Sequence, residues 1–289
     1  MKKLIERLVV FFIGIPVIVG IILYLPYYNN LILNLISIFF SGMGAVELSS
    51  MLKERNINIP KIESFILGAL APAAITLNIS FNLPDVLFSV IIMTGIAWVL
   101  FSRLFLRNSE NENFIYHITG GFSLLIYPGF FMYWFVKMNI WQNQYIILLF
   151  LITTFANDSV AWLTGSLFGK NNRGIISVSP NKSIAGFIGG LFGSIIITAG
   201  AAAIFPEIFY PFFNESNFGF SLISLSIIIG FFTGLAAILG DLAESAMKRS
   251  CEFKDSGNFM LGRGGVLDSI DSIIVAAPVF FFLYNYFFC

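Results

Sequence analysis

Charged side chains are scarce in this sequence, and that scarcity limits what the protein can be. Only 11% of its 289 residues are Asp, Glu, Lys or Arg, whereas 57% are hydrophobic and the mean hydropathy is +0.87. The formal net charge of zero leaves no basic excess with which to bind nucleic acid. The two cysteines, Cys251 and Cys289, offer neither a disulfide framework nor a metal-ligand spacing. This composition favours an integral membrane protein.

Several catalytic signatures are missing as well. The sequence has no zinc signature, no Ser-His-Asp arrangement and no Walker-type phosphate loop. The single histidine, His117, has no partner pattern nearby, so we interpret it as a packed or interfacial residue.

Long apolar runs make up most of the chain. A membrane-spanning helix needs about 17 to 25 residues. Runs of that length lie near 8–28, 31–50, 62–81, 84–106, 114–136, 145–168, 184–206, 220–243 and 266–288. The first has the basic flank of a signal peptide but no small-residue cleavage site, so we interpret it as a retained span. We therefore predict an all-α integral membrane protein, a polytopic bundle of about nine transmembrane helices.

The positions of the positive charges test this topology independently. With the N-terminus in the cytoplasm, every Lys and Arg except Lys137 falls on the cytoplasmic side. A wrong number of spans would scramble that partition, so the positive-inside rule supports both the count and the orientation. We predict a multi-pass protein of the cell (inner) membrane.

The densest group of charges lies between the last two apolar runs, in residues 240–271. Asp241 and Glu244 share one face if the eighth span continues as a helix, and Asp268 and Asp271 repeat that spacing at the start of the ninth. Two carboxylate pairs with a Gly-rich cationic turn between them suit a hard divalent cation and a polyphosphate. The alternative is a purely structural charge network.

A second polar group interrupts the sixth span and continues into the loop after it. Asp158 lies within the span, where an ionisable residue is costly and usually faces the bundle interior or a wet cavity. We therefore predict a cytoplasm-facing polar site in the C-terminal half; the alternative is that Asp158 only bonds a neighbouring helix. The sequence leaves Glu47, in the second span, without an assigned role.

The position of this site indicates a class of reaction. A site at the membrane surface can meet a water-soluble nucleotide from one side and a lipid head group from the other. Mg²⁺ held by carboxylates, with Lys and Arg around phosphates, suits nucleotidyl transfer, because negative charge accumulates on phosphoryl oxygens in the transition state.

These residues resemble the signature of the phosphatidate cytidylyltransferases, or CDP-diacylglycerol synthases. That signature has the form S-x-x-K-R-x4-K-D-x-G-x3-P-G-H-G-G-x2-D-R-x-D. Its spacing is kept here at Ser245, Lys248, Arg249, Lys254, Asp255, residues 262–265, Asp268 and Asp271. A second family motif reads N-D-S-V-A-W from Asn157, followed by Gly165, Gly169, Lys170 and S-P-N-K-S from Ser179 to Ser183. The resemblance covers residues 155–275 in detail.

Four positions depart from the family pattern. Leu261 replaces the usual Pro, Arg263 the His, Ser269 the Arg between the final acids, and Ala185 the Glu after Lys-Ser. Arg263 is still cationic and can contact phosphate, but it cannot shuttle protons near neutral pH.

The resemblance implies a function, a cofactor and a set of site residues. It implies transfer from CTP to phosphatidate to give CDP-diacylglycerol and diphosphate, in phospholipid biosynthesis. The implied catalytic residues are Asp241, Glu244, Lys248, Arg249, Asp268 and Asp271, of which Asp241, Asp268 and Asp271 would bind Mg²⁺. The implied substrate-binding residues are Asp158, Ser159, Lys170, Ser179, Lys182, Ser183, Ser245, Lys254, Asp255, Arg263, Gly264 and Gly265. A second metal or a monovalent cation, and a homodimer, are left open by the same resemblance.

We accordingly divide the chain into N-terminal spans at 1–144 and a C-terminal catalytic region at 145–289. Three alternatives to the implied function stay open. The enzyme could act on another lipid phosphate, such as an isoprenoid phosphate, or be an inactive paralogue. It could also be an ion-coupled transporter, although a transporter is expected to show inverted repeats and this chain shows no internal repeat.

Overall fold

The computed structural model describes residues 10–104, 114–209, 220–260 and 264–289. Within these ranges the chain is helical, and extended pairing is limited to isolated bridges at Arg173 with Ser183 and Met260 with Gly264. The helices are α1 Ile15–Tyr24, α2 Tyr27–Lys53, α3 Lys61–Phe81, α4 Asp85–Phe101, α5 Phe114–Leu124, α6 Phe131–Lys137, α7 Gln144–Phe168, α8 Ile184–Ile204, α9 Leu222–Ser250 and α10 Leu267–Phe288. The predicted all-α class is confirmed.

The described helices correspond to the nine predicted spans. Seven segments are long and apolar enough to cross a membrane, namely α2, α3, the segment Phe114–Trp141 that contains α5 and α6, and α7 to α10. The first and fourth predicted spans correspond to shorter apolar helices, Phe12–Tyr24 and Asp85–Phe101. The chain is therefore a polytopic membrane protein.

The chain forms two compact units. Unit 1 consists of residues 1–142 and 248–270, and unit 2 of residues 143–247 and 271–289. Each unit thus includes part of the C-terminal charged stretch. The predicted functional division at residue 144 stays a prediction.

Small residues allow close packing of α2 against α3 in unit 1. The Ser41 hydroxyl donates to the carbonyl oxygens of Gly68, at 2.6 Å, and Pro128, at 2.8 Å. Pro128 lies in a π-helical turn, Leu125–Phe130, between α5 and α6. The Ser41 hydroxyl therefore contacts both α3 and this turn.

Unit 2 is built around a buried asparagine on α7. The Asn157 amide nitrogen donates to the hydroxyl of Ser194 on α8, at 3.0 Å, and to the carbonyl oxygen of Gly234 on α9, at 3.2 Å. Gly190 lies against the Asn157 backbone, where a Cβ would come within 3.1 Å. Small residues at such contacts allow the helices to approach closely.

We predict that Gly68→Ala destabilises unit 1. A Cβ at this position would overlap the Cβ of Ala45 and lie 2.7 Å from the carbonyl oxygen of Ser41, neither of which can rotate away. Overpacking of this kind costs about 1–3 kcal/mol, so the midpoint of thermal unfolding in detergent should fall. Gly20→Ala is the control, because no heavy atom lies within 4 Å of its added Cβ. Equal midpoints for the two variants would contradict this packing.

Candidate functional site

Helix α9 carries the first pair of predicted catalytic acids in unit 2. It runs unbroken from Leu222 to Ser250, as the sequence predicted, so Asp241 and Glu244 lie one turn apart. The Glu244 side chain is fully buried, whereas Asp241 is partly exposed. Gly240 allows α10 to pass close by, since a Cβ there would overlap the carbonyl oxygen of Asp271.

Three carboxylates of unit 2 act on a fourth, that of Asp271. The charges of Asp241, Glu244 and Asp158 all act on Asp271, which is 8% exposed. The Ser272 backbone N–H donates to Asp271 Oδ1 at 2.6 Å. The Ser272 hydroxyl donates to Asp158 Oδ1 at 3.4 Å. Burial and neighbouring negative charges both disfavour an ionised carboxylate, so a bound proton or a cation would stabilise Asp271 in this position.

A lysine from the loop after α7 reaches this acidic group. Lys182 Nζ lies 2.5 Å from Asp241 Oδ2. The next residue, Ser183, caps α8 by accepting a hydrogen bond from the Gly186 N–H at 3.1 Å. The cap fixes where α8 begins and therefore where Lys182 lies. The structure thus brings together two residues that the sequence assigned to one site.

Asp268, in unit 1, organises the loop that precedes α10. Its Oδ1 accepts from Lys248 Nζ at 2.5 Å, and its Oδ2 accepts from the backbone N–H groups of Ser256, at 3.0 Å, and Gly265, at 2.8 Å. Its side chain is 9% exposed. A residue predicted as a metal ligand is therefore also an acceptor for its own loop.

Glu47 was left without a role by the sequence, yet it contacts the same loop. Its carboxylate, on α2, accepts hydrogen bonds of 2.9 Å from the Ser256 hydroxyl and from the backbone N–H groups of Val266 and Leu267. The residue is only 7% exposed. The one available sequence signal was its position as an acid inside a long apolar run. Neither its partner Ser256 nor the loop is close in sequence, so spacing could not reveal the contact.

The two loop glycines fill places that a side chain could not. Gly264 has a backbone φ of +103°, and a Cβ there would lie 2.6 Å from Asp268 Oδ2. A Cβ on Gly265 would overlap the Ser256 hydroxyl and the Glu47 carboxylate. Packing therefore requires both glycines, and their substrate-binding role stays a prediction.

The other predicted site residues are more accessible or lie outside the described residues. Those exposed are Asp158, Ser159, Lys170, Arg249, Lys254 and Asp255, and those partly exposed are Ser179 and Ser245. Arg263 and Leu261 lie outside the described residues.

The structure describes two of the positions that depart from the family pattern, Ser269 and Ala185. The Ser269 hydroxyl donates to the Gly265 carbonyl oxygen at 3.1 Å. Ala185, in the first turn of α8, lines an apolar groove of about 450 Å³ between α7 and α8.

The carboxylates of unit 2 are of the ligand type that a hard divalent cation takes. Carboxylate oxygens are the ligands that Mg²⁺ prefers, and the repulsion at Asp271 is what such a cation would offset. Among the residues that the structure describes, no three Asp, Glu, His or Cys side chains form a group that could hold a metal ion as they stand. The ligand set Asp241, Asp268 and Asp271 therefore stays a prediction.

The chain is thus an all-α membrane protein with acidic and basic side chains in its C-terminal charged stretch. The chain belongs to the cytidylyltransferase family, whose model matches residues 5–287. The resemblance drawn from the motifs is confirmed, and with it the class of CTP-dependent nucleotidyltransferase.

Several relatives carry the name phosphatidate cytidylyltransferase. The protein of that name from Thermotoga maritima is 30% identical over 261 residues, which are 89% of this chain and 88% of the relative. The one from Haemophilus influenzae is 40% identical over 148 residues, 51% of this chain and 48% of the relative. The one from Rickettsia felis is 36% identical over 141 residues, 49% of this chain and 59% of the relative. This chain thus spans about half of the Haemophilus influenzae relative, about three-fifths of the Rickettsia felis relative and most of the Thermotoga maritima relative.

We predict that Asp271→Asn raises the stability of the protein in the presence of a chelator. The substitution removes an acid that burial and three neighbouring carboxylates disfavour, and it keeps the shape of the side chain; a stabilising change of this kind commonly gives about 1 kcal/mol. Thermal unfolding in detergent with EDTA measures the effect.

The matched control is Asp85→Asn, at the exposed start of α4, which should leave the midpoint unchanged. Added Mg²⁺ should stabilise the wild type more than Asp271→Asn. A lower midpoint for Asp271→Asn in EDTA would show that the acidic group is a structural network.

Proposed function

We propose that this protein is a phosphatidate cytidylyltransferase that makes CDP-diacylglycerol and diphosphate from CTP and phosphatidate. The observation that carries the proposal is the placement of Asp241, Glu244 and Asp158 around Asp271 in unit 2, since the sequence resemblance puts all four acids at motif positions of the family to which the chain belongs. The similarity to the Thermotoga maritima enzyme along most of both chains supports it. CTP, phosphatidate and the lipid bilayer are then the partners; a homodimer stays a prediction.

The proposed reaction is a single in-line displacement. A phosphate oxygen of phosphatidate forms a bond to the α-phosphorus of CTP, the bond from that phosphorus to the β-phosphate oxygen breaks, and diphosphate leaves with the electron pair. The attacking oxygen is already negative, so the site has to neutralise charge and align the two phosphates rather than supply a strong base. Mg²⁺, held by Asp241, Asp268 and Asp271 by motif position, would supply charge neutralisation on the phosphoryl oxygens.

The two lysine–carboxylate pairs suggest how the site changes when substrates bind. Lys182 is paired with Asp241, and Lys248 with Asp268. The family motif assigns both lysines to phosphates and both acids to metal. Phosphate groups that bind the lysines would leave these carboxylates available to Mg²⁺, so each pair would hold its two members in place until nucleotide arrives.

The same proposal fixes an orientation in the membrane. CTP is made and used in the cytoplasm, and the sequence places all the lysines and arginines except Lys137 on one side. The active site would then face the cytoplasm from the cell (inner) membrane, with the N-terminus on the same side and the C-terminus outside.

We predict that the purified protein in detergent converts labelled CTP and phosphatidate into lipid-linked CMP in the presence of Mg²⁺, and that Asp268→Asn loses at least 100-fold in rate. Loss of a group that stabilises transition-state charge costs about 10²–10³ in kcat. Thin-layer separation of the labelled lipid measures the rate. Asp85→Asn serves as the control and should retain wild-type activity.

Two results would redirect the assignment. Activity with an isoprenoid phosphate, and none with phosphatidate, would keep the transferase class and replace the acceptor. A folded wild type with no activity on any lipid phosphate would support an inactive paralogue, and the departures at Arg263 and Ala185 would be the positions to restore first.

We predict that Cys289 reacts with a membrane-impermeant maleimide added outside intact cells. Cys289 is exposed, whereas Cys251 is buried, so the Cys251→Ser variant should label as the wild type does. Cys289→Ser is the control for specificity and should not label. Labelling of Cys289 only after the membrane is broken would reverse the proposed orientation.

A further inference from the structure

The Glu47 carboxylate, on α2, contacts residues of unit 1 that lie 209 to 220 positions later in the sequence. Its Oε1 accepts from the Val266 N–H, and its Oε2 accepts from the Leu267 N–H and the Ser256 hydroxyl. All three distances are 2.9 Å, so one carboxylate holds both ends of the loop that leads into α10.

The two backbone donors belong to the start of α10. The first N–H groups of a helix have no carbonyl partner within the helix, and a negative charge next to them is favoured by the helix dipole. Glu47 therefore caps α10 from a different helix, α2. In the low-dielectric interior each of these hydrogen bonds is expensive to lose, because its donor would then be buried alone.

Ser256 links this cap to a predicted catalytic acid. The same hydroxyl that donates to Glu47 accepts from the Asp268 N–H at 3.3 Å, and the Ser256 N–H donates to Asp268 Oδ2 at 3.0 Å. Ser256 thus forms hydrogen bonds with both the Glu47 and the Asp268 carboxylates. A change in the position of the Glu47 carboxylate is passed to Asp268 through one serine.

The loop is shaped to receive this carboxylate. A Cβ on Gly257 would lie 2.5 Å from Glu47 Oε1, and a Cβ on Gly265 would overlap Glu47 Oε2. The two glycines and the acid therefore depend on one another. Such a fit leaves the carboxylate little freedom to move.

We propose that Glu47 is a positioning residue for the transfer reaction. It caps α10 and holds Ser256, and through them it fixes the orientation of Asp268 without touching substrate. The catalytic part of this inference rests on the proposed function, whereas the part about the loop does not.

The test compares Glu47→Gln with Glu63→Gln. Glutamine keeps the shape of Glu47 but has one acceptor oxygen, so at least one backbone N–H loses its partner. Glu63 is a matched control because its side chain is 15% exposed and is paired with Arg103 at 2.6 Å, away from this loop. Hydrogen exchange measured by mass spectrometry should be at least tenfold faster at residues 264–268 in Glu47→Gln, and unchanged there in Glu63→Gln.

Kinetics separate positioning from a general loss of folded protein. Partners that orient a metal-site residue typically contribute about 10–100-fold in metal affinity or activity. Glu47→Gln should therefore lower kcat/KM by that factor and raise the Mg²⁺ concentration required for half-maximal rate. A variant that is merely less folded would lose rate at unchanged Mg²⁺ dependence.

Ser256→Ala provides a second route if Glu47→Gln does not fold. It removes only the hydroxyl that joins Glu47 to Asp268 and should shift the Mg²⁺ dependence in the same direction. In the double variant the losses should be less than additive, because both changes break one chain of contacts.

The outcomes separate the two proposals. Wild-type exchange at residues 264–268 in both Glu47→Gln and Ser256→Ala, or wild-type kinetics in Glu47→Gln, would overturn the role of Glu47. A wild type without transferase activity, but with faster exchange in Glu47→Gln and not in Glu63→Gln, would reject the proposed function and retain Glu47 as the residue that positions Asp268.

Discussion

A charge buried in a membrane protein has to find its partners within the chain, because hydrocarbon offers no hydrogen bonds. Several polar side chains of the described structure follow this constraint. Glu47 has three donors, Asp268 has a lysine and two backbone N–H groups, and Asp241 has Lys182. Even the neutral Asn157 has two acceptors on two different helices. These polar side chains therefore contribute to the packing of their own unit, whatever their role in the chemistry.

Unit 2 is the place where this constraint is met least well. Three carboxylates act there on that of Asp271, and the two most buried of the four, Glu244 and Asp271, are 0% and 8% exposed. Repulsion of this kind is expected where a fold retains groups for binding rather than for stability. The apolar groove between α7 and α8 has no comparable charge repulsion, because all of its lining residues are uncharged.

The sequence was informative where the deciding interactions are local. Hydropathy found the spans, and helical spacing placed Asp241 and Glu244 on one turn of a helix that does continue to Ser250. It could not find Glu47 or Ser256, because their contact depends on how α2 packs on a loop more than 200 residues later. It also gave Asp268 a single role as a ligand, since motif spacing carries no information about which backbone N–H groups turn toward a carboxylate.

The long separation between Glu47 and its donors has a consequence for how the protein is made. Glu47 is synthesised 209 to 220 residues before Ser256, Val266 and Leu267. With co-translational insertion, α2 therefore enters the bilayer well before these three partners exist. Until the last loop has been synthesised, the Glu47 carboxylate needs other hydrogen-bond partners, either from the insertion machinery or from polar groups of the nascent chain. Unit 1 cannot acquire its final hydrogen bonds until nearly all of the chain has been synthesised, so its maturation is one of the last steps of biogenesis, although most of its helices are inserted first.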